Sequence, residues 1–318
     1  MVIYDECDRL FEMGFAEQLK EITARMPNNR QSLLFSATIS SEVKDFTLAG
    51  IKDYRMVQVD RDSKLSDQLK IHFFVVRSVE KEAALMYILR ERVQTGEQTI
   101  VFAATRYHVE YLCELAIKAG FKANFIYGAM DQRAREDKLI EFRRKYTNFL
   151  FVTDLAARGI DIPYLENVVH FDFPTKLKLF IHRAGRTARA GRTGVSYGIV
   201  TQEELAYLHD LSIFVGRDHK DKCKPEEIED PQIMCFGRLP QHLTDEYCFY
   251  VAKLYDTHET LLEPLKKSLK NSVPKYLKTR DPASFASVAL MKTVQVGIHP
   301  CLMKEIDEKE EALMDFKQ

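Results

Sequence analysis

Short apolar runs alternate, over most of the first 215 positions, with segments whose apolar residues fall three and four apart. The runs are too short for helices and suit strands buried on both faces, whereas the spaced segments describe one face of an amphipathic helix. Alternation of the two is the sequence form of stacked βαβ units, with parallel strands joined by helical crossovers. Residues 2–4, 33–35, 71–76, 99–103, 123–127, 149–152, 168–171 and 197–200 are expected as strands, and 80–93 and 106–118 as helices. The fold class that follows is an open α/β sheet, not a barrel or a bundle.

With 318 residues the chain has room for two or three domains. Residues 57–70 lose the helical period and carry mixed charge, so an extended linker is expected there. Only about two strands precede it, whereas a doubly wound domain wants five or more. Residues 1–56 are therefore expected to be the C-terminal part of a first lobe, cut at its N-terminal side, and 71–216 a complete second one. Beyond 216 the strands fade and prolines 225, 231, 240, 264, 274 and 282 punctuate helical stretches such as 245–255. A mostly helical extension, 217–318, is expected, with no repeat and no low-complexity tract.

Charged residues at 29% and apolar ones at 46% describe an ordinary folded soluble chain. A formal net charge of −1 announces no polyanionic partner, yet residues 131–192 hold thirteen basic against eight acidic side chains. That is a local footprint for a polyanion. Residues 264–280 carry six bases and no acid (Lys266, Lys267, Lys270, Lys275, Lys278 and Arg280), which a solvated helix face explains as well as nucleic-acid contact does. Six cysteines lie at least twelve positions apart with no C-x-x-C pair, a usage that suits a reducing compartment and implies no disulfide-linked partner. The first residues lack the pattern of a secretory signal, and no apolar stretch approaches a membrane span, so a cytosolic or nuclear chain without a membrane partner is expected.

Four strings stand at expected strand ends. Asp5-Glu6-Cys7-Asp8 follows residues 2–4 directly. Carboxylates in that place sit where open α/β sheets bind their ligands. There an Asp can hold Mg²⁺ through its water shell while a neighbouring Glu orients an attacking water, as phosphoryl transfer requires. An acidic helix start gives a similar string with no chemistry. Ser36-Ala37-Thr38 follows 33–35, a place where small hydroxyl residues also form turns and caps. Residues 152–161 lead from a strand through a small-residue turn, where backbone amides reach phosphates and Asp161 can accept a bond from a ribose hydroxyl; a plain strand-to-helix connection is the alternative. Residues 182–192 set Arg183, Arg186, Arg189 and Arg192 at three-residue steps among Gly, Ala and Thr, a cationic surface of guanidinium forks suited to phosphate oxygens.

In this order the strings resemble the motifs of the DEAD-box RNA helicases of superfamily 2. DECD (5–8) stands at the acidic motif, SAT (36–38) at the third and VFAATR (101–106) at the fourth. Gln132-x-x-Arg135 matches the element that follows, while TDLAARGID (153–161) and HRAGRTARAGR (182–192) match the fifth and sixth. The resemblance covers about residues 1–216. It is closest to the nucleolar subfamily linked to assembly of the large ribosomal subunit, through DRLFEMGFAEQL (8–19), TDLAARGIDIP (153–163), GRLPQ (237–241) and VGIHP (296–300).

The resemblance implies tandem RecA-like parallel sheets, the first partial and the second complete, that close around ATP and single-stranded RNA. Asp5 would hold Mg²⁺ through water and Glu6 would position the hydrolytic water. Ser36 and Thr38 would couple hydrolysis to strand separation with His182. Gly159 and Asp161 would bind the nucleotide, and Arg186 and Arg189 would reach its γ-phosphate. Thr105, Arg106, Gln132, Arg135, Thr153 and Gly159 would line the RNA backbone, reading shape and phosphate rather than base. The implied setting is the nucleolus, with ATP and Mg²⁺ as cofactors, pre-ribosomal RNA and pre-60S proteins as partners, and a monomeric chain.

Cys7 stands where the family commonly has Ala, and Ala188 where Gly is usual, at little cost unless the backbone there needs a positive φ. The larger departure is that none of the 13 glycines is followed by Lys, so no G-x-x-x-x-G-K-[ST] phosphate loop occurs. The chain is therefore expected to be a fragment that starts at the acidic motif and shows negligible ATPase alone. A non-catalytic RNA- or pre-ribosome-binding module derived from a helicase stays open. A DNA-directed relative is disfavoured by the DEAD-box forms of SAT, ARGID and HRxGR.

Overall fold

The computed structural model describes residues 1–36, 43–46, 55–57, 65–157, 162, 165–188 and 191–306. The chain divides into two units, Met1–Arg61 and Asp62–Gln318. In the first, strand β1 (Val2–Tyr4) pairs in parallel with β2 (Ser32–Leu34), setting Tyr4 beside Leu34. Helices Cys7–Glu12 and Ala16–Ala24 form the crossover. Tyr4, Cys7, Leu19, Val43 and Phe46 make its small core, with the Tyr4 and Phe46 rings edge to face at 5.2 Å.

The second unit is built on eight parallel strands: β3 (Leu69–Val75), β4 (Thr99–Phe102), β5 (Ala123–Ile126), β6 (Phe149–Val152), β7 (Asn167–His170), β8 (Gly194–Val200), β9 (Asp218–Lys220) and β10 (Ile233–Arg238). Their order across the sheet is β5-β6-β4-β7-β8-β3-β10-β9. Every residue of β4 and β6 is buried, as the unbroken apolar runs require of strands covered on both faces. Helix Arg106–Lys118 has the expected bounds because Thr105 caps its start and its buried side fits the apolar spacing, with Val109, Leu112, Cys113 and Ala116 inside. The helical period expected over 80–93 is met by a 3₁₀ turn (Ser78–Glu80), an α-helix (Lys81–Tyr87) and a π turn (Ile88–Arg92).

Beyond residue 216 the chain is mostly helical, as expected, with two strands that were not. Helices Gln241–Thr257, Glu259–Leu277 and Phe285–Met291 are present, but β9 and β10 add to the same sheet. The run Ile233-Met234-Cys235-Phe236 carries the buried-strand signal, which the flanking prolines mask. Its place is dictated by β3: Leu69–Val75 is buried on both faces except at Lys70, and β10 covers the edge that β8 leaves open.

Past the end of β10 the segments GRLPQ and VGIHP meet. Arg238 N–H donates to the Gly297 carbonyl at 2.8 Å, and His299 N–H to the Arg238 carbonyl at 2.9 Å. Gly237 is needed for this approach, since a Cβ there would lie 2.3 Å from the His299 Cα. Among the described residues no helix is long and apolar enough to cross a membrane.

Candidate functional site

In the first unit the acidic string turns sharply out of β1. Cys7 N–H donates to the Phe35 carbonyl at 3.0 Å, and Phe35 N–H to the Tyr4 carbonyl at 2.8 Å, so the ends of β1 and β2 are tied together. Glu6 stands at a positive φ of 46°, a strained conformation for a residue with a side chain and of a kind that gathers at functional turns. Asp5 Oδ1 accepts the Glu6 N–H at 2.9 Å, and Ser36 Oγ accepts the Asp8 N–H at 3.3 Å. The structure thus brings Ser36 against the acidic string. The Asp5 carboxylate is exposed, a hard oxygen donor fit for a hydrated Mg²⁺.

In the second unit Phe102, Asp154, Ala157, Leu179, His182, Arg183 and Arg186 line one pocket. It joins the fifth motif to the sixth. Arg183, 1% exposed, is its fixed wall: Nε and Nη2 donate to the two carboxylate oxygens of Asp154 at 2.6 and 2.8 Å, and Nη1 to the Asp172 carbonyl at 2.7 Å. Burial works against its charge, but Asp154 outweighs burial and holds the guanidinium above its ordinary range. The four-arginine surface read from the sequence is therefore corrected at one position. Arg183 is an internal brace, while His182 and Arg186 stay half-buried in the pocket wall.

The strand order sets the ends of β5, β6 and β4 side by side, and with them most of the residues assigned to the RNA track. Thr153 directly follows β6, and its Oγ1 accepts the Ala156 N–H at 3.4 Å. Gln132 opens helix Gln132–Arg143 after β5, its amide on Glu136 at 2.7 Å. Arg106 is exposed, its guanidinium 4.6 Å above the Tyr107 ring. Arg135 donates to the Ala156 carbonyl at 2.6 Å, bracing the turn of the fifth motif. Thr105 is half-buried, with Oγ1 2.9 Å from His108 Nδ1 and 3.1 Å from Ser272 Oγ of helix Glu259–Leu277.

Asp172, just past β7, escaped the sequence reading. Its Oδ2 accepts the Ala104 N–H at 2.8 Å, and its Oδ1 accepts from Lys81 Nζ at 3.0 Å. Burial favours the neutral acid, yet Lys81, His108 and the Ala104 N–H together hold this carboxyl well below the usual carboxylate range. A fixed negative charge thus sets the turn that carries Thr105 and Arg106. The signal that could have found it is the one used for Asp5, a carboxylate immediately after a buried apolar run.

Ala188 has a φ of 54°, so the condition under which an alanine there is costly is met. Left-handed backbone costs a residue with a Cβ roughly 1–2 kcal/mol. Thr38, Gly159, Asp161 and Arg189 lie outside the described residues, as do residues 58–64 of the linker 57–70.

Residues 1–46 match the DEAD/DEAH box helicase family, and residues 80–191 match the helicase conserved C-terminal domain. The chain is 40% identical over 332 residues to DEAD-box ATP-dependent RNA helicase 29 of Oryza sativa subsp. indica, covering 100% of this chain and 39% of that protein. It is also 40% identical over 316 residues to ATP-dependent RNA helicase DDX54 of Mus musculus, covering 97% and 36%. The chain thus spans less than two fifths of the length of these curated relatives. Among solved structures, S. cerevisiae Dbp5 bound to RNA and ADP BeF3 aligns with a TM-score of 0.62 at 24% identity, over 80% of this chain and 63% of that one, a likeness of fold. On its ordered motifs, its parallel RecA-like sheet and these matches, the chain belongs to the DEAD-box helicase family.

Proposed function

We propose that these residues form the hydrolytic and RNA-tracking part of an ATP-dependent RNA helicase of large-ribosomal-subunit assembly. The observation that carries this reading is the placement of the motifs: Thr105, Gln132 and Thr153 at three adjacent strand ends, with His182 and Arg186 lining one pocket braced by Arg183 and Asp154. Bound MgATP would supply the γ-phosphoryl group and a metal that spreads its charge. Asp5 would hold the hydrated cation and Glu6 would orient and deprotonate the attacking water, while Arg186 and Arg189 would meet the charge that develops on the phosphate. Gly159 and Asp161 hold the nucleotide sugar and phosphates. Ser36, Thr38 and His182 transmit hydrolysis to the RNA track, where Thr105, Arg106, Gln132, Arg135, Thr153 and Gly159 contact backbone rather than bases.

The nucleolar setting, pre-ribosomal RNA and pre-60S partners rest on the resemblance in 8–19, 153–163, 237–241 and 296–300, together with the relatives at 40% identity. No phosphate loop occurs in the 318 residues, so the chain alone is expected to release negligible phosphate. Joined behind the amino-terminal part of the mouse relative, it gains RNA-stimulated hydrolysis, and Glu6→Gln lowers that rate by about two orders of magnitude or more. Undiminished turnover in Glu6→Gln overturns the helicase reading. Robust hydrolysis by the chain alone overturns its dependence on a phosphate loop from elsewhere. The non-catalytic reading draws on Lys267, Lys270 and Lys275, exposed on helix Glu259–Leu277, and on Lys278 just past its end, and it predicts RNA binding with a silent chimera.

A further inference from the structure

Among the described residues, one group of potential metal ligands lies away from the motifs: His72 on β3, His299, and Cys301, with one ligand atom from each all within 4.8 Å of one another. His72 is 6% and His299 0% exposed, and His72 Nδ1 and His299 Nε2 are buried without a hydrogen-bond partner. Buried polar nitrogens are rarely left this way, since each costs roughly 1–3 kcal/mol. The two imidazole centroids lie 5.3 Å apart with the rings tilted by 57°, where two aliphatic side chains would fill the space without that cost.

The chemistry of the group suits a thiophilic ion. Burial holds His72 down at about 4 and His299 well below its ordinary range, so both imidazoles are neutral, as ligation requires. The Cys301 N–H donates to His299 Nδ1 at 3.2 Å, so Nδ1 is the acceptor nitrogen of this ring, and a metal bound there takes over the lone pair that the N–H now meets. Burial raises the Cys301 thiol to about 11, a proton that a bound metal displaces. Cys235 stands directly across from His72 in the β3–β10 register, and its Sγ is 3.4 Å from that of Cys223, so further sulfur lines the same face. Neighbouring ligand atoms in a tetrahedral zinc site lie roughly 3.3–3.8 Å apart. Two of the three ligands belong to one short turn, His299 as its cap and Cys301 within Pro300–Glu305.

We propose that His72, His299 and Cys301 form a binding site for a thiophilic divalent cation, zinc by its ligand set, that fastens the chain's last described segment to the middle of the sheet. Two imidazoles and a thiolate satisfy zinc, and a hard oxygen-seeking ion such as Mg²⁺ finds no partner here. The segment held is the one that pairs with Arg238. The ion links residue 72 to residues 299 and 301 and stabilises by closing that long loop.

The test uses the full 318-residue chain purified without chelator. Elemental analysis is expected to find close to one zinc ion per chain, displaceable by Co²⁺ with the near-ultraviolet thiolate-to-cobalt band of a cysteine-ligated site. Cys301→Ser and His72→Asn lose both the zinc and the band, while Cys248→Ser, on another helix, keeps them. A chelator lowers the melting temperature of the unsubstituted chain and leaves that of Cys301→Ser unchanged. A folded chain that retains no zinc and gives no cobalt band overturns the site, as does a Cys301→Ser variant that keeps both.

Discussion

One sheet buries polar side chains in two opposite ways. At the ends of β4, β6 and β7 every buried charge has a counter-charge: Arg183 holds Asp154 with two hydrogen bonds, and Asp172 holds Lys81 and the Ala104 N–H. At the seam of β3 and β10, His72 and His299 are buried uncharged, each with a ring nitrogen that meets no partner. The first arrangement fixes side chains and turns at a set geometry without help from a ligand, as a preorganised site needs. The second is complete only when something else fills it. Here the fully paired charges mark positioning, whereas the unpaired nitrogens of His72 and His299 stand out because a third ligand atom, that of Cys301, lies within 4.8 Å of them.

The largest expected effect falls on the paired side. Asp154→Ala leaves the Arg183 charge buried and alone, and is expected to cost about 3–5 kcal/mol in urea-unfolding stability. Replacing both partners with apolar residues of similar size recovers most of the loss. A double change as damaging as the single one would break the comparison.

Acid separates the two regions next. A histidine that stays neutral in the fold but charges when unfolded makes stability fall by up to about 1.4 kcal/mol per pH unit. For His72 that window runs from the ordinary value of 6.5 down to about 4, and stability rises again as pH returns above it. The Asp172 carboxyl, held low, contributes fully above the ordinary carboxylate value of about 3.9 and loses its contribution only as pH falls below that. Unfolding measured at pH 7, 5 and 3 should show two separate losses, the upper one made smaller by His72→Asn and the lower one by Asp172→Asn, since His299 and other buried groups add to each. A single loss confined below pH 4 would place the unpaired histidines on the paired side. The smallest effect is expected at Ala188: Ala188→Gly relieves its left-handed backbone and stabilises by about 1 kcal/mol, read as a rise in the unfolding midpoint.

Much of the positioning was legible in sequence. Each apolar run expected as a strand forms one, because runs such as Phe149–Val152 have no other way to be buried on both faces. Helix Arg106–Lys118 was legible to the residue, since a capping Thr and a regular apolar step agree. The roles inside a motif were not. Arg183 and Arg186 read alike in the string 182–192, and only the approach of Asp154 from a distant strand end makes one a brace. Asp172, Lys81 and the His72 cluster are assembled from strands and turns far apart in the chain, so no local spacing announces them. Strand β10 was hidden because the prolines around it read as helix punctuation.

The position of β3 has a consequence for how this protein is made. Its seven residues are flanked in the sheet by β8 and β10, which are translated more than a hundred residues later. At ordinary elongation rates that leaves an apolar strand outside the ribosome without either neighbour for roughly 6–24 s or longer. Nascent β3 is therefore the segment of this chain most exposed to pairing with another polypeptide, and the one that a chaperone acting during synthesis has most reason to hold.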